Sequence, residues 1–147
     1  FARAFLKAQM GAGVVLPTEG LAFISIKDAD KGPEMEQAAR LLVGMGFSVL
    51  ATRGTAGWLS SHGIPCEQVN KVYEGGRTIV DRLKDGDVAL VMNTTEGTQS
   101  VGDSREIRAV ALYDKIPYFT TAAAAHAVAL AMQARSEGEV GVRALQA

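Results

Sequence analysis

The sequence predicts a doubly wound α/β domain, a five-stranded parallel sheet flanked by helices in a Rossmann-like arrangement. Three observations carry this. Short apolar runs alternate five times with longer segments of helical periodicity, and strands joined through helices pair in parallel by right-handed crossovers. One run, "DVALVMNTT", is apolar on successive residues, as a strand covered on both faces must be. The length agrees: 147 residues at 48% hydrophobic and 21% charged make one globular domain that buries about two-thirds of its unfolded surface.

Residues 1–20 read as a lead-in, with a short amphipathic opening from Phe1 to Met10 and a glycine-rich link, "GAGVVLPTEG". The domain proper spans 21–135. "LAFISIK" is the first strand, and "PEMEQAARLLVGMG" is a helix with Pro33 near its start and Met35, Ala38, Ala39 and Leu42 on one face. "FSVLAT" is the second strand, followed by a helix from about Gly54 to His62 that Gly63 stops. A weaker third strand lies around Glu67 to Asn70, and the helix "TIVDRLKDG" closes on Gly86. "DVALVMNTT" is the fourth strand, "SREIRAVALYDK" a helix, and "IPYFT" the fifth strand. An alanine-rich helix runs from Thr121 to about Arg135, and 136–147 reads as an irregular or frayed tail.

Charge and cysteine usage narrow the function. A formal net charge of −1 offers no general basic field for nucleic acid or an anionic membrane, so anion binding has to be local. The single cysteine, Cys66, cannot pair within the chain, which fits a reducing cytoplasm, and no Cys/His spacing suits a metal. No apolar run reaches membrane-span length and no signal-peptide pattern is present. Because the chain opens on Phe1, the expectation is a piece of something longer.

In an open α/β sheet, ligands bind beyond the carboxyl ends of the strands. Those positions here are Ser25, Lys27 and Lys31 after the first strand and Thr52, Arg53, Gly54 and Thr55 after the second. Asn70 and Lys71 follow the third, Asn93, Thr94, Thr95 and Gly97 the fourth, and Thr120 and Thr121 the fifth. Ser, Thr and Asn before helices commonly serve only as N-caps, and surface cations are commonly just solvated. The recurrence of hydroxyls, amides, glycines and cations on all five strands nevertheless suits a phosphorylated small molecule held at helix N-termini. A Walker-type P-loop is absent, and "GAGVVL" lacks the third glycine and the strand-to-helix setting of a dinucleotide fingerprint.

Catalytic equipment is sparse. There is no Gly-x-Ser-x-Gly elbow; His62 sits beside a helix-stopping glycine and His126 within the alanine-rich helix, both read as structural. Acidic residues mostly read as solvated helix faces, with Asp81 and Asp103 as the weak acid/base candidates, and Trp58 reads as core or domain interface.

The combination "ATRGTAGWL", "VNKVYEGGRTIVDRLKDGDVALVMNTTEG" and "DSREIRAVALYDKIPYFTT" closely resembles the C-terminal allosteric domain of the carbamoyl phosphate synthetase large subunit, a methylglyoxal synthase-like fold. The resemblance runs from Phe1 to about Ala134, and "FARAFLKAQMGAG" looks like that family's lead-in from a preceding catalytic domain. It implies a regulatory, non-catalytic part of a cytoplasmic ATP-dependent ligase that makes carbamoyl phosphate from glutamine, for arginine and pyrimidine biosynthesis. ATP, Mg and K would serve the intact enzyme, with no cofactor in this domain. Its partners would be UMP as inhibitor, IMP and ornithine as activators, the other large-subunit domains and a glutaminase small subunit.

Carried over by position, the resemblance assigns the nucleotide to Ser25, Lys31, Thr52, Gly54, Thr55, Lys71, Asn93, Thr94 and Thr95, with Arg53 in the same turn, and links Thr120 to ornithine. UMP and IMP would compete for one pocket and set the loop from Lys71 through Gly75 and Gly76 differently. Enteric-type members carry arginines just after the glycine of Asn-Thr-Thr-x-Gly, where this chain has Thr98 and Gln99, a departure that bears on phosphate affinity or effector choice. Two rival readings are a stand-alone methylglyoxal synthase, which would need a catalytic Asp and supporting His residues by the phosphate, and a domain-interaction module with a vestigial pocket.

Overall fold

The computed structural model describes residues 16–69, 78–94 and 98–146, the side chains of 98–104 and 137–146 excepted. Along them run β1 (Leu21–Ser25), a 3-10 turn (Asp28–Asp30), α1 (Pro33–Gly44), β2 (Ser48–Ala51), α2 (Arg53–Ser61) and β3 (Glu67–Gln68). There follow α3 (Ile79–Lys84), β4 (Val88–Asn93), α4 (Thr98–Tyr113), β5 (Tyr118–Phe119) and α5 (Ala122–Gln146). All five strands pair in parallel in the order β3-β2-β1-β4-β5, as the alternation of elements requires.

Alternation along each central strand divides the core. Ala22 and Ile24 of β1 and Leu90 and Met92 of β4 join a cluster with Met35, Ala39 and Leu42 of α1, Leu59 of α2, and Ala125, Val128 and Met132 of α5. Phe23 and Val91 point the other way, onto Ile79 and Leu83 of α3 and Ile107 of α4. A strand with helices on both faces gains nothing from polar residues on either, which explains the unbroken apolar run of β4.

Helix limits follow local chemistry. Pro33 occupies the first turn of α1, where its missing N–H costs nothing, and Met35, Ala38, Ala39 and Leu42 are the buried stripe that the spacing predicted. Gly63 (φ +73°) and Gly86 (φ +79°) take left-handed conformations just past α2 and α3, where other residues would be strained. Arg135 donates to the carbonyls of Leu16 (3.3 Å) and Pro17 (3.0 Å), tying the chain's approach to β1 onto α5.

Two helices exceed the expectation. The α4 helix begins at Thr98, earlier than the Ser104 at which the periodic pattern starts. The α5 helix continues to Gln146, so 136–146 are helical and not an irregular tail. Propagating a formed helix adds one hydrogen bond per residue fixed, and Glu, Arg, Ala, Leu and Gln favour it. No proline intervenes, and Gly138 and Gly141 slow that propagation without ending it. The lead-in 1–15 lies outside the described residues.

Candidate functional site

The chain winds outward from β1 through β2 to β3, then crosses back to place β4 on the other side of β1. In open α/β sheets a reversal of this kind places the ligand crevice beyond the carboxyl ends of the strands that flank it, here β1 and β4. Ser25 and Asn93 are register partners there, at the last residues of their strands.

Polar side chains collect at that edge. The buried polar residues among those described are Ser25, Thr52, Thr55, Thr78, Asn93 and Thr94, and all but Thr78 stand at the strand ends. Burying a hydroxyl or amide without a partner is costly, so each is tied to a neighbour. Ser25 Oγ and Thr52 Oγ1 hydrogen-bond at 3.0 Å, and Thr52 Oγ1 lies 3.5 Å from Thr55 Oγ1. Thr55 Oγ1 accepts the Ile26 N–H at 3.1 Å. Across the crevice, the Thr94 N–H donates to the Ser25 carbonyl at 2.9 Å, and Thr94 Oγ1 accepts the Lys27 N–H at 3.2 Å. The strand ends are thereby laced together by the residues expected to meet a ligand.

Thr52 illustrates how the two sequence readings combine. It takes the N-cap position of α2 with extended backbone, yet its side chain makes no capping bond because the hydroxyl is committed to Ser25. The first-turn amides of α2 keep their positive character at the crevice. Arg53 and Gly54 on that turn are exposed. Lys31 reaches over it: a Cβ placed on Gly54 would lie 3.6 Å from Lys31 Nζ, in ordinary contact, so the ammonium sits beside the helix end.

Lys31 is itself held from the 3-10 turn. Its Nζ donates to Asp28 Oδ1 at 2.7 Å, with the Lys31 side chain 19% exposed and that of Asp28 96%. This hydrogen bond, and then the Lys31 charge, holds the Asp28 carboxyl below the usual carboxylate range. Lys27 and Asp30 form a second, looser pair at 4.0 Å on the same turn. Asp28 escaped the sequence reading although its spacing to Lys31, i to i+3, was visible there.

At the far side, Asn93 Nδ2 donates to the Tyr118 hydroxyl at 2.9 Å, and the Arg108 guanidinium lies 5.6 Å from the Tyr118 ring centre. Tyr118 was also missed, its only signal being a polar-tipped aromatic beside Thr120 in the fifth strand. Thr120 is exposed just past β5. Thr121 is a helix cap, its Oγ1 accepting the Ala124 N–H at 3.1 Å. Asn70, Lys71, Thr95, Gly97 and the 71–76 loop lie outside the described residues, as do the side chains of Thr98, Gln99 and Asp103.

The weak catalytic candidates have structural occupations. Asp81 Oδ2 accepts from the Thr78 N–H at 2.9 Å and its hydroxyl at 3.4 Å, capping α3. His62 follows the carboxyl end of α2, where Nδ1 donates to the Trp58 carbonyl at 2.9 Å and the ring packs on Trp58 at 5.0 Å. His126 lies on the second turn of α5, its Nε2 buried without a hydrogen-bond partner. Among the described residues no group of three His, Cys, Asp or Glu side chains could hold a metal. A cleft of about 460 Å³ does open at the opposite, amino-terminal edge, lined by Leu21, Phe47, Ser48, Cys66, Glu67 and Arg82 among others. Arg82 is committed there to Glu67 and Asp87, both at 3.0 Å.

The family model of the MGS-like domain matches residues 34–120, which include α1 after its first residue, β2, α2 with its polar turn, and every later strand. The chain belongs to the MGS-like domain family. This MGS-like domain is 44% identical over 146 residues to the carbamoyl phosphate synthase large chain of Rhizobium meliloti (strain 1021), covering 99% of the chain and 12% of that protein. It is 51% identical over 136 residues to the large chain of Halomonas eurihalina, covering 90% of the chain and 12% of that protein. The large chain of Pseudomonas syringae pv. tomato is 50% identical over 133 residues, with the same two shares. The MGS-like domain therefore spans about an eighth of the length of the curated relatives it matches.

Proposed function

We propose that this MGS-like domain is the effector-binding part of a carbamoyl phosphate synthase large chain, and that the carboxyl edge of its sheet binds a nucleoside monophosphate. One observation carries the reading: five of the six buried polar residues among those described converge where β1, β2 and β4 end, beside a helix N-terminus and a lysine. The α2 amides and Lys31 would take the phosphate. UMP and IMP are the proposed ligands, with Lys71 and Thr95 completing the grip. Thr120 is proposed to carry the ornithine response toward a neighbouring domain. ATP, Mg and K would be held elsewhere in such an enzyme, a ligase working with a glutaminase subunit in the cytoplasm. Nucleic acid and membranes are not proposed as partners, and among the described residues no helix is long and apolar enough to cross a membrane.

Regulation through such a site requires that the nucleotide bind one arrangement of the enzyme more tightly than another, with coupling factors of about 5 to 150 being typical. The test is calorimetric titration of the 147-residue chain with UMP and IMP, beside a Lys31→Ala variant. Saturable binding that Lys31→Ala weakens about tenfold or more supports the reading, a charge-assisted contact being worth about 1.5–3 kcal/mol. Absence of binding by either nucleotide overturns it for this chain. Formation of methylglyoxal from dihydroxyacetone phosphate would replace it with the synthase reading.

A further inference from the structure

The turn after β1 carries both cations of the first strand end, and each is already countered by an acid of the same turn. Lys31 is bound by Asp28 at 2.7 Å and Lys27 lies 4.0 Å from Asp30. The two pairs interlock, so the turn is electrically balanced before any ligand arrives. The stronger pair is also the one that matters for an anion. Lys31 is largely covered and lies over Gly54 at the start of α2, while the Asp28 side chain is 96% exposed and has no second partner among the described residues.

Resting on the effector-site reading above, we infer that Asp28 is a built-in competitor for the incoming phosphate, a latch that holds Lys31 in place and sets the affinity of the site. A phosphate oxygen and the Asp28 carboxylate seek the same ammonium protons. Binding proceeds by exchange: the Lys31–Asp28 hydrogen bond breaks, a Lys31–phosphate hydrogen bond forms, and Asp28 passes into water at little cost because it is almost wholly exposed. The cost of that exchange is common to every ligand that uses Lys31 through a phosphate. A ligand without phosphate does not pass through it.

The latch predicts a specific pattern for Asp28→Asn in the 147-residue chain, read by calorimetry. UMP, IMP and inorganic phosphate should all bind about two- to fivefold more tightly, the factor by which an exposed ion pair holds off a competitor. Uridine should show no gain. The gain should shrink as salt is raised from about 0.01 M to 1 M, because screening weakens the pair it releases. Neutralising Glu34, an exposed acid in the first turn of α1, controls for general charge, and Glu34→Gln should give a smaller gain. In a Lys31→Ala background, Asp28→Asn should give no gain beyond that of Glu34→Gln. Folding is not at risk, since Asp28 is exposed and Asn keeps its shape. Binding by both chains with Asp28→Asn no tighter than wild type, or an equal gain for uridine, overturns the latch and leaves the effector site standing. No binding of UMP, IMP or phosphate by either chain removes the effector reading and the latch with it.

Discussion

Replacing Thr55 by valine removes one oxygen from the strand-end edge and little else. Thr55 Oγ1 accepts the Ile26 N–H at 3.1 Å and lies 3.5 Å from Thr52 Oγ1. Thr55 is 2% exposed and Ile26 4%, so bulk water cannot replace the lost acceptor. An unsatisfied buried donor costs about 1–3 kcal/mol, and the additional buried methyl returns about 0.8 kcal/mol. The expected loss is about 1 kcal/mol, a fall in Tm of about 2–4 °C for a domain of this size. Amide hydrogen exchange locates the effect: in Thr55→Val the Ile26 N–H should lose protection relative to its strand neighbours. In Thr55→Ser it should stay protected although a methyl is gone. Unchanged protection of Ile26 in Thr55→Val, or a Tm equal to wild type, would refute the claim that the α2 hydroxyls lace the strand ends together.

Three further substitutions separate scaffold from ligand contact. Gly54→Ala should raise stability by about 0.4–1 kcal/mol, because alanine restricts the unfolded chain and its Cβ meets nothing closer than Lys31 Nζ at 3.6 Å. The same methyl should weaken UMP binding, so a rise in both stability and affinity in paired melting and titration experiments would count against the site. Asp81→Ala should cost about 1 kcal/mol by uncapping α3 while leaving UMP affinity unchanged, and loss of binding in a folded variant would restore Asp81 as a functional group. The Asp28 carboxyl, followed by NMR, should titrate below the usual value of about 3.9 and move back toward it in Lys31→Ala. Its folded pKa is depressed, so its contribution to stability is present above the unfolded value and is lost as pH falls through the folded one.

What the sequence revealed depended on whether the deciding interaction was local. The apolar stripe of α1 is a periodic pattern and the two-faced run of β4 an unbroken one, and both are seen as read. The strand-end residues were legible because topology alone sends them to one edge. What they do there was not. Thr52 was open between N-cap and ligand group; it occupies the cap position, but its hydroxyl is bound to Ser25, 27 residues away. Asn93 finds Tyr118 across 25 residues. Such pairings exist only once the sheet order is set. The extension of α5 past Arg135 was hidden by two glycines, whose cost is real but smaller than the gain of propagating a helix already formed.

The same division between local and distant bonding bears on where regulation could enter. A ligand shifts an equilibrium only through groups whose interactions differ between the two states. Ser25, Thr52, Thr55 and Thr94 already have partners without a ligand, and those partners are backbone or buried hydroxyls of neighbouring elements. Their bonds brace the strand ends before any ligand arrives. Lys31 differs, because its partner is a solvent-exposed acid three residues away, bound by an interaction that salt and competing anions can break. Filling the crevice would then alter the charge balance of the turn after β1 more than the geometry of the sheet. A neighbouring domain that senses occupancy through this turn would see a freed carboxylate, so Asp28→Asn should blunt the effector response of an intact enzyme even as it tightens binding. Retention of the full response with tightened binding would place the coupling elsewhere on the edge.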